Sequence, residues 1–239
     1  MADEKVLANK PLRVALAIPN EGHTLPEAYI NRLLFAHHIG KLDGENPGKY
    51  EFFWENVGRV LTPLARERLA EWAVEMNADV MLQIDDDMII PFDMFDKLYA
   101  TMLETGADVV APLAFMRVPP FYPVIYRVKS GYDRMAHKPY FEREFVKTYK
   151  KDAVVECDAV GFGSALIKVD LLRKMAKPWF MSTSSAGEDI WFCTCAKKEA
   201  KAKIVMDCRI KLGHMSNPGV ITEEIYEQHN GVEQMREYA

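Results

Sequence analysis

Apolar and polar positions fall into blocks whose period changes along the chain. LRVALAIP (12–19) is apolar apart from Arg13 and is closed by Pro19 and the turn-like Asn20-Glu21-Gly22, the pattern of a buried strand. From about Pro26 to Ile39 apolar residues recur at helical spacing, and DGENPG (43–48) has the chemistry of a loop. The aromatic-rich YEFFWENV (50–57) suits a second strand. Thr62-Pro63 then opens a helix, Thr as N-cap and Pro at the first helical position. That helix runs to about Met76, with Leu64, Leu69, Trp72, Ala73 and Met76 on one face. ADVMLQI (78–84) is the next buried strand, followed by a helix from about Pro91 to Glu104, a stop at Gly106, and the strand ADVVAPL.

This β-α-β-α-β rhythm predicts an α/β fold with a mostly parallel sheet flanked by helices. In the second half, short β-like segments run through 153–169, with a helix near 170–176. A further helix opens at Gly187-Glu188-Asp189, and strands follow around 203–206 and in RIKLGHMS (209–216). A smaller antiparallel β element is expected there. TEEIYEQHNGVEQMREYA, at the C-terminus, reads as a helix with charged faces. Residues 1–11 are polar and expected to form a flexible tail. No repeat, low-complexity tract or linker is visible, so residues 12–239 are expected to form a single domain.

Composition narrows the class. A content of 49% hydrophobic and 27% charged residues is that of a soluble globular chain. The formal net charge of −5 argues against bulk affinity for nucleic acid or anionic membrane. No apolar run reaches the roughly 18 residues that a membrane helix needs. The cysteines, Cys157, Cys193, Cys195 and Cys208, form no CxxC pair, and Cys193-x-Cys195 would straddle a helix. A reduced, cytoplasmic protein is expected. One segment departs from the average: between Arg117 and Lys151 stand nine Lys/Arg against three Asp/Glu, interleaved with Tyr and Phe. Either these solvate a loop excursion over a small aromatic core, or they recognise an anionic or stacking acceptor.

The most informative stretch is QIDDDMIIP (83–91). Asp85, Asp86 and Asp87 follow a buried strand, and active sites of such sheets lie at the carboxyl ends of strands. A turn or helix start accounts for one Asp, and for two with difficulty; here there are three. Mg²⁺-like ions take one or two protein carboxylates and complete their shell with phosphate and water. Asp85 and Asp87 fit that pattern, with Asp86 directed elsewhere. His214, just past an apparent strand, is a ligand type suited to Mn²⁺. Glu188 and Asp189 stand at a helix N-terminus, which favours anions; one of them could equally serve as a general base.

These elements, in this order, resemble glycosyltransferases of the GT-A fold, the family-two-like enzymes especially. The likeness spans roughly residues 12–216. It rests on IPNEG closing the first strand, LARERLAEWAVE before ADVMLQIDDDMIIP, VGFGSALIKVDLL, GEDIWFC and the late GHM. The resemblance implies a GT-A (Rossmann-like) fold and a metal-binding DxD made by Asp85 and Asp87, with Asp86 near the donor's ribose or diphosphate. It also implies His214 as the late ligand to Mn²⁺ or Mg²⁺, and Asp189 with Glu188 as the acidic pair containing the base of inverting members. Pro19, Asn20 and Glu21 match the nucleotide-base site. Arg66 matches an Arg-Asn pair facing the nucleotide, although Glu67 here replaces the Asn. Gly163, in GFGS (161–164), matches the small-residue segment beside the donor sugar; a strand bend needed for packing explains it as well.

The activity so implied is transfer of a sugar from a nucleotide-sugar donor, a UDP-sugar favoured, to an acceptor hydroxyl on DNA or a glycan. Two other classes remain: a metal-dependent nucleotidyltransferase or phosphohydrolase, and a non-catalytic carbohydrate- or nucleic-acid-binding module.

Overall fold

Leu12–Asn20 forms the strand β1, whose middle is wholly buried because it lies inside a sheet rather than at its edge. It pairs in parallel with β2 (Tyr50–Gly58) on one side and β3 (Val80–Ile84) on the other, after the intervening helices α1 (Pro26–Glu45) and α2 (Thr62–Glu75). The computed structural model describes residues 10–20, 22, 25–133, 138–216 and 219–231, so the expectation for residues 1–9 lies outside it.

Beyond β3 come β4 (Met88–Ile89), α3 (Met94–Thr105) and β5 (Val109–Leu113), then a hairpin of β6 (Ile125–Asp133) and β7 (Lys138–Phe145). Next follow β8 (Val154–Glu156), β9 (Ala159–Val160), β10 (Ser164–Lys168), α4 (Val169–Arg173) and α5 (Glu188–Ala200). The chain closes through β11 (Ile204–Lys211), β12 (Gly213–Met215), β13 (Val220–Ile221) and α6 (Glu223–Asn230).

The main sheet has the order β2-β1-β3-β10-β5-β11-β8. Strands β2, β1, β3, β5 and β11 share one direction, while β10 and β8 oppose it. The architecture is therefore the expected mixed α/β, Rossmann-like one, with small antiparallel sheets β13-β12-β4 and β7-β6-β9 beside it. Alternate residues of each strand face opposite layers. Ala15 and Met81 join Leu69, Phe162 and Phe192 in one core, whereas Leu16 and Leu82 join Phe35, Phe95 and Leu98 in the other.

Several local expectations shift. Helix α1 runs on to Glu45, three residues into the segment read as a loop, and stops before Asn46-Pro47, where proline cannot continue it. Leu61, not Thr62, is the N-cap of α2, with Thr62-Pro63 inside the helix. Its buried face is Ala65, Arg66, Leu69, Ala70 and Ala73, while Leu64 is exposed. Gly106 does end α3, in the left-handed conformation that glycine adopts without a Cβ clash (φ 69°). Among the described residues no helix is long and apolar enough to cross a membrane. All four cysteines are free, Cys195 half-buried and the others buried.

Candidate active site

The acidic triplet leaves β3 and is stapled on two sides. The Asp85 N–H donates to the Gly163 carbonyl at 2.9 Å, so the start of antiparallel β10 is held against the end of β3. On the other side β4 pairs with β12, placing His214 opposite Met88, and the Met215 N–H donates to the Asp87 carbonyl at 2.9 Å. Chain segments more than 120 residues apart therefore meet at one turn.

Asp87 and His214 come together there, with His214 Nε2 3.3 Å from Asp87 Oδ2. His214 Nδ1 lies 2.8 Å from the Phe115 carbonyl, which can only accept, so Nδ1 carries the proton and Nε2 is the nitrogen turned to the cleft. Arg117 Nη1 donates to the same Asp87 oxygen at 3.0 Å. Burial pushes the Asp87 carboxyl upward, but His214 and Arg117 outweigh it and hold the group below the usual carboxylate range.

Asp85 is engaged differently. Arg66 Nη2 hydrogen-bonds Asp85 Oδ2 at 2.9 Å and lies 2.9 Å from the buried Oδ1, which it faces as an ion pair, Oδ1 having no hydrogen bond among the described residues. The same guanidinium donates to Gln83 Oε1 at 2.9 Å, to the Phe162 carbonyl at 3.1 Å and, through Nε, to Glu188 Oε1 at 3.1 Å. Arg66 is only 3% exposed. It stands as a hub under the cleft rather than as a free arm reaching toward a nucleotide. Burial drives the Asp85 carboxyl up to about 7, against the pull of Arg66. Arg32 Nη2 donates to the Asp85 carbonyl at 2.7 Å, and its charge also acts on Asp86, which is itself buried. The chain thus supplies much of the positive charge that the triplet calls for. Among the described residues no group of three His, Cys, Asp or Glu is arranged to hold a metal. Asp87 and His214 converge as an open pair, with Asp85 turned to Arg66.

Glu188 and Asp189 open α5 behind the N-cap Gly187. The Ile190 N–H donates to Asp189 Oδ1 at 2.7 Å, and a Cβ on Gly187 would lie 2.9 Å from that oxygen, so a side chain there would crowd the carboxylate. Burial first, then the charge on Glu188, push the Asp189 carboxyl above its ordinary value. This is the direction that suits proton uptake near neutral pH.

One cleft of about 270 Å³ gathers these groups. Its walls include Pro19, Asn20, Arg66, Asp85, Asp86, Asp87, Gly163, Glu188, Asp189 and His214, every site residue singled out from the sequence except Glu21, which lies outside the described residues. Asn20, at the end of β1, donates to Asn56 Oδ1 and accepts the Gly22 N–H at 2.8 Å. Gly163 packs on Met88, and a Cβ there would stand 3.0 Å from its Sδ and Cε.

Among the cleft residues that the sequence pattern did not single out as site residues are Arg117 and Phe115. Both follow the carboxyl end of β5, which the strand-end rule could have flagged. Arg32 had no such signal, because only the placement of α1 brings it to the triplet. The aromatics of the basic segment turn inward where described. Tyr126 and Phe145 pack with centroids 5.0 Å apart, Tyr122 joins Phe145 at 5.4 Å, and Tyr149 donates to Glu223 at 3.0 Å. These rings help to fill a small core. Side chains 130–141 lie outside the described set.

No protein-family model matches the chain, and no curated protein sequence does. Among solved structures it is similar to A197 from STIV, with a TM-score of 0.56 and 21% identity over 85% of each chain. A looser likeness to HddC from Yersinia pseudotuberculosis has a TM-score of 0.39 and 9% identity, covering 85% of this chain and 93% of the other. What the chain shares with A197 from STIV is its fold.

Proposed function

We propose that this chain is a metal-dependent glycosyltransferase that moves a sugar from a nucleotide-sugar donor, a UDP-sugar in the favoured case, to an acceptor hydroxyl. The observation that carries the reading is the meeting of Asp87 and His214 in one cleft with the acidic pair Glu188 and Asp189. The glycosyltransferase-like fold is consistent with it.

Asp87 and His214 would hold Mn²⁺ or Mg²⁺, with His214 Nδ1 already committed to a carbonyl in the way that orients ligating imidazoles. Asp85 would join them only by leaving Arg66. When bound, the ion supplies charge neutralisation for the departing nucleoside diphosphate. Two protein ligands leave room for diphosphate oxygens and water, as hard divalent ions prefer.

The remaining roles belong to the chain's own groups. Asp189, raised by burial and by Glu188, would accept the proton of the attacking acceptor hydroxyl if the reaction inverts configuration. Glu188, tied to Arg66, would hold the start of α5 in register with the triplet. Arg117 would exchange its contact with Asp87 for the anionic donor. Asn20 and Pro19 would border the base, and Gly163 would leave space beside the sugar.

Thermal shift with UDP, GDP and their sugars, each with and without Mn²⁺, tests the reading. A rise that needs nucleotide and metal together supports it. No rise with any nucleoside diphosphate in the presence of metal would overturn it. Turnover of a nucleoside triphosphate or phosphoester without sugar transfer would point instead to a nucleotidyltransferase or phosphohydrolase.

A further inference from the structure

Helix α1 buries Ala28, Phe35 and Ile39 toward the sheet but is apolar on its outer side as well. Tyr29, Ile30, Leu33 and Leu34 are 57%, 58%, 52% and 59% exposed, and Phe92, which packs on His38 of the same helix, is 59% exposed. Residues at i, i+1, i+4 and i+5 lie on one helical face, so this is a continuous apolar surface rather than scattered residues. The same face carries Gly40, where an added Cβ would meet nothing within 4 Å among the described residues. Glycine is the poorest helix former after proline, and no packing within the chain calls for one here.

We infer that this face joins two copies of the chain through an antiparallel, two-fold α1–α1 contact. Three features of the helix agree on that arrangement. Glu27, Leu34 and Lys41 repeat at seven residues along one edge of the face, while Tyr29, Leu33 and Gly40 lie along the other. A two-fold axis normal to a pair of antiparallel helices keeps each edge against the same edge of its copy. The midpoint of Glu27 and Lys41 is Leu34, so pairing about Leu34 sets each Glu27 beside the Lys41 of the other copy. About that centre Tyr29 of one copy comes within one residue, about 1.5 Å, of Gly40 of the other, beside the notch that the missing Cβ leaves. Charge, size and apolar character therefore select one register and one occupant, a second copy of this chain. Parallel packing would instead set Glu27 against Glu27 and Lys41 against Lys41. The inference is independent of the catalytic reading, since no cleft residue takes part.

Sedimentation equilibrium of the full chain at micromolar concentration tests it, beside Leu33→Glu, Gly40→Leu, Glu27→Lys, Lys41→Glu and the double swap. Wild type is expected at twice the 27.3 kDa chain mass. Leu33→Glu and Gly40→Leu should weaken association by about tenfold or more. Gly40→Leu should do so without lowering the thermal midpoint of the isolated chain, because leucine is the better helix former. Each single charge reversal should weaken the dimer, and the double swap should restore it. A monomeric wild type overturns the inference, as does a dimer indifferent to Leu33→Glu or a double swap no better than the single reversals. A monomer that instead co-floats with phosphatidylglycerol vesicles would assign the face to a membrane and overturn the inference equally.

Discussion

Arg66 Nη2 lies 2.9 Å from both carboxylate oxygens of Asp85, and the same side chain bonds Glu188 at the start of α5. One buried cation thus ties the turn after β3 to the acidic pair across the cleft. Removing one partner of such a network leaves a buried charge uncompensated, at a cost of roughly 3–5 kcal/mol. Arg66→Met should lose about that much stability in urea unfolding, and Arg66→Met with Asp85→Asn should recover part of it. An Arg66→Met chain as stable as wild type would show that the hub is dispensable.

His214 and Asp189 should separate binding from chemistry. His214→Ala removes one of the two groups proposed to hold the metal and should weaken Mn²⁺-dependent UDP binding by calorimetry roughly 10-fold or more, by analogy with metal-site losses. Asp189→Asn keeps the shape and the Ile190 contact. It should leave donor binding near wild type while slowing sugar transfer by about 10²–10⁴-fold. Equal loss of binding in both variants would contradict these separate roles.

The two glycines of GFGS should respond differently to the same added methyl group. A Cβ on Gly161 would lie 2.8 Å from Val124 Cβ, inside the packed junction whose Gly161 N–H donates to the Val124 carbonyl. Gly161→Ala should cost about 1–3 kcal/mol by overpacking. Gly163→Ala meets only the flexible end of Met88, so stability should change less. Donor affinity should change more, because Met88 adjoins the triplet. Circular-dichroism melts and donor titration of both variants check this, and a reversed order would refute the packing assignment.

Asp207 gives a pH signature away from the cleft. It is 1% exposed and accepts hydrogen bonds from Thr101, from the Arg209 N–H at 3.0 Å and from the Arg209 guanidinium at 2.9 Å. Burial pushes its carboxyl up, but Arg209 and Thr101 outweigh that and hold it below the ordinary value of 3.8. Below 3.8 the unfolded chain therefore binds this proton before the folded one does. The stabilisation is present above that pH and drains away as pH falls through the lowered folded value. Asp207→Asn should cost about 1.5–3 kcal/mol at neutral pH, the worth of hydrogen bonds to a charged group. The difference from wild type should shrink as urea midpoints are followed down to acid pH. A gap that stays constant would remove ionisation of Asp207 as its cause.

Much of this protein is legible in the order of its residues because its strongest signals are local. Predominantly apolar runs specified β1 and β3, Gly106 specified the end of α3, and the position of Asp85–Asp87 after a buried strand located the cleft. Only the tertiary structure decided what faces each carboxylate. The insertion of β10 between β3 and β5 depends on pairing between segments far apart, and it brings Gly163 to Asp85. The packing of α1 and α2 decides that Arg32 and Arg66 serve the triplet, while α1 keeps an apolar face outward. Side-chain period follows from a few neighbouring residues, whereas a charge partner is set by which distant elements share a layer; the chain's local pattern carries the first and not the second.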